Sequence, residues 1–570
     1  MTQATTHNTN TPRRTHPAVV RAALRSCRAS VSSYPRRRVS SLNKHWIPAC
    51  AGMTRYNALG QKSSQTYPDG ATYTYSFDTN NQLSTVDLPT GYGSITLNSY
   101  LWTVPSQITL PGGTVRTLQY DGLLRLKTLA VKDPGQSQVM SYQYGYDLTG
   151  NIVSKATEQS TTNYNYDTLD HLTGATYTNS SQTNETYIYD PLANRVTDSK
   201  TAAANWVYNA NNQLIQAGSI RYTYDENGNT LSQTDANNPA NTRSYVYDTD
   251  NRLTEVHDAS NAIIATYRYD PFGRRISKTL HTGSTSRSSY YFYSAEGLIA
   301  EADANGQLTQ SYGYAPGSTF TTNPLWLKVP ATGTQTAAAY YTYQNDHLGT
   351  PMKLLNQSGV TVWSATYDAF GRATINPAST VSNNLRFPGQ YHDAETGLHY
   401  NWNRYYDSAT GRYVTSDPIG LRGGINEYTY VEGNPLSFSD PTGELPSAVV
   451  GALIGAGMDI GIQLLVNGMK PQCIKWDVVA IAALTGAVNP FSGLSAANNA
   501  LKAERQYARA AGLRTGSRAA KRTAQRGDRH NSRSMKEAAS WVGVEGTAEG
   551  VGNLIPDERH IRIADPCECR

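Results

Sequence analysis

The stretch Tyr245-Val246-Tyr247-Asp248, followed by Asn251-Arg252-Leu253, decides the fold. Successive strand side chains point to opposite faces, so Tyr245 and Tyr247 share one face of a strand. Asp248 then opens a turn, because a short carboxylate accepts backbone N–H bonds and Asn tolerates positive φ. A second alternating strand follows. The unit is a β-hairpin, and one hairpin cannot bury its apolar face alone.

The unit recurs. Tyr144-Gly145-Tyr146-Asp147, Tyr164-Asn165-Tyr166-Asp167, Tyr187-Ile188-Tyr189-Asp190, Tyr222-Thr223-Tyr224-Asp225 and Tyr267-Arg268-Tyr269-Asp270 repeat it, and Tyr367-Asp368 shortens it. Tyr208-Asn209 and Tyr293-Ser294 are variants. From Tyr146 to Tyr293 the second tyrosines lie 16 to 24 residues apart. Repeats of this kind bury their faces against their neighbours. The expectation is a continuous, curled β-sheet with tyrosine rings paired across adjacent strands. Scaffolding is the plain role for these rings, and glycan binding by a Tyr-rich surface is the alternative.

Composition agrees. Of 570 residues, 40 are Tyr against 8 Phe and 8 Trp, which suits half-exposed sheet faces. Charged residues are only 16% of the chain, which excludes a coiled coil or a charge-driven disordered protein. Mean hydropathy is negative, which excludes a multi-span membrane protein. Cys27, Cys50, Cys473, Cys567 and Cys569 all fall outside 51–472, so no disulfide framework supports the repeats. The net charge of +5 is uneven: +10 over 1–55, −10 over 56–500 and +5 over 501–570. Only the two basic ends favour a polyanion.

The Tyr-Asp repeats resemble the YD repeats of Rhs and teneurin proteins and of the C component of bacterial Tc toxins. The resemblance spans roughly 56–443. Its most specific part is an ordered string: Asn345-Asp346-His347-Leu348-Gly349-Thr350-Pro351, Phe387-Pro388-Gly389-Gln390-Tyr391, Glu395-Thr396-Gly397-Leu398, Asn403-Arg404-Tyr405-Tyr406-Asp407, Thr410-Gly411-Arg412-Tyr413, Asp417-Pro418-Ile419-Gly420-Leu421, Gly423-Gly424-Ile425-Asn426, Tyr428-Thr429-Tyr430 and Asn434-Pro435. This string is similar to an Rhs repeat-associated core. The resemblance implies a mainly β fold, a cocoon-like shell of spiralling hairpins, followed by a small α-rich C-terminal region. It further implies a hollow shell around the chain's own C-terminal segment, plugged by the core, where the chain cuts itself.

Relatives of this kind are cut after a P-x-x-x-x-D-P-x-G-Leu motif. Its positions fall here on Pro435, Asp440, Pro441 and Gly443, while Glu444 stands in the place of Leu and Leu445 follows. The resemblance carries the catalytic aspartate to Asp417 and its supporting arginine to Arg404. The chemistry needs one carboxylate to activate water and a second acid to protonate the amide nitrogen, and two neighbouring carboxyls sharing a proton supply both. Asp417 and Asp440 form that pair, with Arg404 holding one ionised. Against this stands a structural reading, in which both Asp-Pro dipeptides start turns and Arg404 is an ion-pair partner. A charged Glu444 fits an apolar pocket poorly, so the cut is slow, shifted to Leu445, or lost. No cofactor or metal is implied.

The remaining segments give weaker expectations. Residues 1–55 read as a disordered basic leader, and Trp46–Thr54 resembles the translation of a dispersed bacterial repeat, which makes the leader mis-called sequence. A nucleic-acid-binding arm is the alternative. No apolar run follows its basic residues, so it is no secretory signal. Repeats occupy 56–340 and the core 341–444. An apolar, Gly-rich stretch fills 445–495, within which 448–466 has the length of a membrane span but carries Asp459 at its centre. A variable basic region, 496–570, holds a toxin or its remnant, with a basic helix over 496–526 that suits nucleic acid or an anionic surface.

The leading expectation is therefore a bacterial Rhs-type polymorphic toxin carrier, with an immunity protein and a secretion-system component as partners. It would be secreted or surface-bound by a non-classical route, or cytoplasmic before delivery. The alternatives are a glycan-binding YD-repeat surface protein and a non-functional Rhs fragment.

Overall fold

The computed structural model describes residues 53–178, 182–199, 206–331 and 337–444. The leader, Leu445, the 448–466 stretch, the basic region and all five cysteines lie outside the described residues. Within them the chain is antiparallel β, with three single-turn 3-10 segments and no α-helix. No helix there is long and apolar enough to cross a membrane.

Strands pair in sequence order. Thr54–Tyr56 through Arg195–Asp198 make a 14-stranded sheet, Trp206–Tyr208 through Ala373–Ile375 a 16-stranded sheet, and Tyr391–His392 through Arg412–Tyr413 a four-stranded sheet. Among the described residues the first large sheet ends at Asp198 and the second begins at Trp206.

Each hairpin is built as the repeat predicts. Asp225 Oδ1 accepts the N–H groups of Asn227 at 3.0 Å and Asn229 at 2.8 Å. Asp248 and Asp270 make the same two bonds to Asp250 and Arg252 and to Phe272 and Arg274. The fourth turn position takes positive φ: 83° at Gly228, 59° at Asn251 and 77° at Gly273. A bulge sits beside each turn, where the register shifts between Thr223 and Tyr224, Val246 and Tyr247, and Arg268 and Tyr269.

The tyrosines do something other than pair rings across strands. The first tyrosine of each pair is buried (Tyr187, Tyr222, Tyr245, Tyr267), while the residue between, Ile188 or Val246, faces outward. The hydroxyl of the second tyrosine donates to a backbone carbonyl of the preceding hairpin. Tyr247 reaches Thr230 O at 3.0 Å, Tyr269 reaches Leu253 O at 2.6 Å and Tyr293 reaches Arg275 O at 2.8 Å. The accepting residue is the one opposite the previous hairpin's tyrosine: Thr230 pairs with Tyr224, and Leu253 with Tyr247. The staple runs unbroken through Tyr100, Tyr120, Tyr146, Tyr166, Tyr189, Tyr208, Tyr224, Tyr247, Tyr269 and Tyr293. It joins the two large sheets, since Tyr208 donates to Arg195 O at 2.7 Å. Phe would pack equally well but would leave the carbonyl without its donor, which explains the excess of Tyr.

Side chains reach from one large sheet to the other. Tyr73 stacks on Trp326 with ring centroids 4.3 Å apart. Lys62 pairs with Glu296 at 2.6 Å, Arg116 donates to Gln344 Oε1 at 2.8 Å, and Lys353 to Val139 O at 2.7 Å. Long aromatic and cationic side chains span the ~10 Å separation of packed sheets. The core sheet packs inside the curve of the second sheet, with Tyr391, Leu398, Tyr400 and Tyr405 in one cluster with Tyr245, Tyr267, Tyr291 and Trp363. Arg275, 1% exposed, is the pin: it forms an ion pair with Asp393, its Nη2 lying 3.0 Å from Oδ1, and Lys278 meets the same carboxylate at 2.8 Å.

Candidate functional site

The core hairpin turns at Trp402, whose φ of 53° closes a two-residue loop pairing Asn401 with Arg404. Trp402 is fixed from outside the hairpin, its Nε1 donating to Phe272 O at 3.0 Å and its ring lying 4.2 Å from Phe320. Arg404 therefore enters strand Arg404–Asp407 from a rigid start. Its guanidinium lies over the Tyr413 ring at 3.6 Å.

Segment 434–444 crosses this hairpin. At its start, Asn434 donates to Asn151 Oδ1 at 2.8 Å, and His347 Nε2 bonds Leu436 O at 2.8 Å. The Asn345–Pro351 string thus anchors segment 434–444, in which Pro435 is buried. At its end, the Asn403 N–H and side chain both donate to Thr442 O, at 3.2 and 3.1 Å. Gly443 has φ of 71°, and a Cβ there would overlap Asn401 O, so the crossing needs glycine. Gly389 passes so close to Pro441 that a Cβ would overlap its backbone.

These elements bring Arg404, Asp417 and Asp440 together. Arg404 Nη2 lies 2.9 Å from Asp417 Oδ2 and 3.3 Å from Asp440 Oδ2. The same guanidinium donates through Nε to Gly443 O at 2.5 Å and through Nη1 to Glu427 O at 2.9 Å. All three side chains are buried, at 4%, 6% and 2% exposure.

The two carboxylates are not equivalent. Asp440 Oδ1 accepts the N–H groups of Gly443 at 2.9 Å and Glu444 at 3.1 Å, and Oδ2 accepts the Tyr413 hydroxyl at 2.8 Å as well as Arg404. Four donors fill its acceptor sites. Asn401 Nδ2 supports the arrangement, donating to Tyr413 Oη at 2.9 Å and to Asp440 O at 2.8 Å. Asp417 accepts Ile419 N–H at 3.0 Å and the arginine. Two acceptor positions remain on it for a water or a proton.

The Glu444 carbonyl oxygen and the Asp417 carboxylate lie near each other, on either side of Gly423. A Cβ placed on Gly423 would strike the Asp417 carboxylate and meet Glu444 O at 3.1 Å, so both groups flank the space that Gly423 leaves. Burial pushes Asp417 up to about 6, with Arg404 opposing and Asp440 and Glu444 adding to it. Burial also raises Asp440, offset by Arg404, Tyr413 and the two N–H groups. A carboxyl that titrates near 6 can both take and return a proton close to neutral pH.

The site contains two residues that the sequence singled out only as members of the string, Tyr413 and Gly423, and one, Asn401, that the string leaves out. Nothing in their spacing shows that a Tyr hydroxyl would hold a carboxylate or that Gly423 would make room for one. Among the described residues no group of three His, Cys, Asp or Glu side chains is placed to hold a metal.

The sequence pattern of the Teneurin YD-shell family matches residues 99–430. Toxin protein Tse5 of Pseudomonas aeruginosa is 43% identical over 125 residues, which is 22% of this chain and 9% of Tse5. Double-stranded DNA deaminase toxin A of Burkholderia cenocepacia is 39% identical over 119 residues, 20% of this chain and 8% of that protein. The alignments span under a tenth of these relatives' own lengths. The structure of the Photorhabdus luminescens Tc holotoxin pore superposes on 69% of this chain and 21% of its own with a TM-score of 0.54 and 19% identity, a likeness of fold alone.

Proposed function

The chain belongs to the Teneurin YD-shell family, and from that membership and the Arg404–Asp417–Asp440 cluster we propose that it is the shell of a polymorphic toxin that cuts itself after Glu444. The observation that carries the proposal is the placing of the Glu444 carbonyl beside the Asp417 carboxylate, with Asp440 holding the preceding turn.

The step balances as a hydrolysis. Asp417 takes a proton from water as the water oxygen bonds to the Glu444 carbonyl carbon. The bond from that carbon to the Leu445 nitrogen breaks, and the proton passes to that nitrogen. The products are a carboxylate at 444 and an amine at 445. Asp440 is a positioning residue: its two N–H bonds fix the 440–444 turn. Arg404 keeps negative charge tolerable on the pair and fixes Gly443 O.

Relatives named as toxins support a role in carrying a C-terminal effector, here 445–570, which lies outside the described residues. The adhesive reading has less support, because the tyrosine ladder faces inward and is occupied by the staple. N-terminal sequencing of the small fragment from purified full chain tests the proposal. A fragment beginning at Leu445, absent from Asp417→Asn, is expected. The same fragment from Asp417→Asn would refute it.

A further inference from the structure

Glu444 brings a third carboxyl group to a site that already holds two. Resting on the self-cleavage reading, we infer that Glu444 is a pH gate on the cut: the following bond is hydrolysed while its carboxyl is protonated and is protected while it is ionised.

The backbone of Glu444 is committed. Its N–H is bound to Asp440 Oδ1 at 3.1 Å and its carbonyl flanks Gly423 beside Asp417. The Glu444 side chain is half-buried. The charged groups facing it are Asp440 from its own segment, Arg404 from strand Arg404–Asp407 and Asp417 from the loop after strand Arg412–Tyr413.

One guanidinium serves all three acids, and it is already engaged through Nε, Nη1 and Nη2 by Gly443 O, Glu427 O and the two aspartates. Ionising all three carboxyls leaves two negative charges uncompensated in a largely buried site, which the site resists by holding protons. Burial and the Asp440 charge raise Glu444 above the ordinary carboxyl range, with Arg404 opposing. A neutral Glu444 approximates the leucine of the motif that this chain resembles. An ionised one opposes both the turn and the negative charge that builds on the attacked carbonyl oxygen.

The test is the self-cleavage rate of the full chain at about pH 5.5 and about pH 7.5, for wild type, Glu444→Gln, Glu444→Leu and Asp417→Asn, with the cut placed by mass. Wild type is expected to cut at least about tenfold faster at the lower pH, where more of Glu444 is protonated. Both Glu444 variants are expected to cut at least about tenfold faster than wild type at the higher pH, and to slow rather than quicken at the lower pH, where Asp417, pushed up to about 6, is less ionised. Such a gain is not what a damaged structural residue gives. If wild type cuts in an Asp417-dependent way and the variants follow its pH profile, the gate is overturned while self-cleavage stands. If the variants lose cleavage, Glu444 is needed as an acid and the gate is likewise overturned. If nothing cuts at either pH, or Asp417→Asn cuts like wild type, the underlying reading falls and takes the gate with it.

Discussion

Asp417 and Asp440 share one nitrogen of Arg404, and their remaining partners separate them. Removing a group that moves the proton costs about 10²–10⁴-fold in rate, so Asp417→Asn is expected to lower self-cleavage by at least that range, followed as fragment appearance over days. The same substitution has a sign on stability. Asp417 titrates near 6 in the fold, above the ordinary value of about 3.9. The contribution of its proton is full below about pH 4 and is lost as pH rises through 6. Wild type should therefore lose denaturant resistance between about pH 4 and 6, and Asp417→Asn should lose less over that window. An unchanged slope would show that Asp417 is not perturbed. Gly443→Ala meets positive φ and the Asn401 carbonyl together, and is expected to slow the cut while costing about 1–3 kcal/mol, measured by denaturant unfolding of the uncleavable background. Arg404 and Asp417 stood in the sequence as members of the family string, and Asp440 as a position of the P-x-x-x-x-D-P-x-G pattern. Their unequal roles were not legible, because these depend on which donors the fold brings to each carboxylate.

The hairpin was legible to its turn. Asp225, Asp248 and Asp270 each take the two N–H bonds that the Tyr-x-Tyr-Asp pattern implies. The tyrosine staple was not legible, because its acceptor is a carbonyl freed by the bulge of the hairpin before it, and a bulge is a property of pairing rather than of one strand. Tyr247→Phe keeps the ring and removes only the donor to Thr230 O. It is expected to cost about 1 kcal/mol, read by chemical unfolding. The outward Val246→Thr is expected to stay within about 0.5 kcal/mol. Equal effects of the two would mean that the ring, and not the hydroxyl, joins neighbouring repeats. The division into two large sheets was likewise hidden, since the repeat continues across it through Tyr208 and Arg195.

For the whole molecule, the site exists only while the core is seated in the wall. Arg275, Lys278 and Asp393 are buried together, and Arg275 Nη1 also lies 3.2 Å from the hydroxyl of Tyr405, the neighbour of Arg404. Removing one partner of a buried ion pair leaves a charge without compensation and costs about 3–5 kcal/mol. Asp393→Ala is expected to do so and to open the 391–413 region to limited proteolysis before the repeats. The most direct measurement is the intact mass of the full chain across a gel-filtration peak, taken at about pH 5.5 beside Asp417→Asn. The account predicts two masses, divided after Glu444, eluting in one peak, and a single 62.3 kDa species for the variant. A single uncut species for both, or division at the same bond in both, would contradict it.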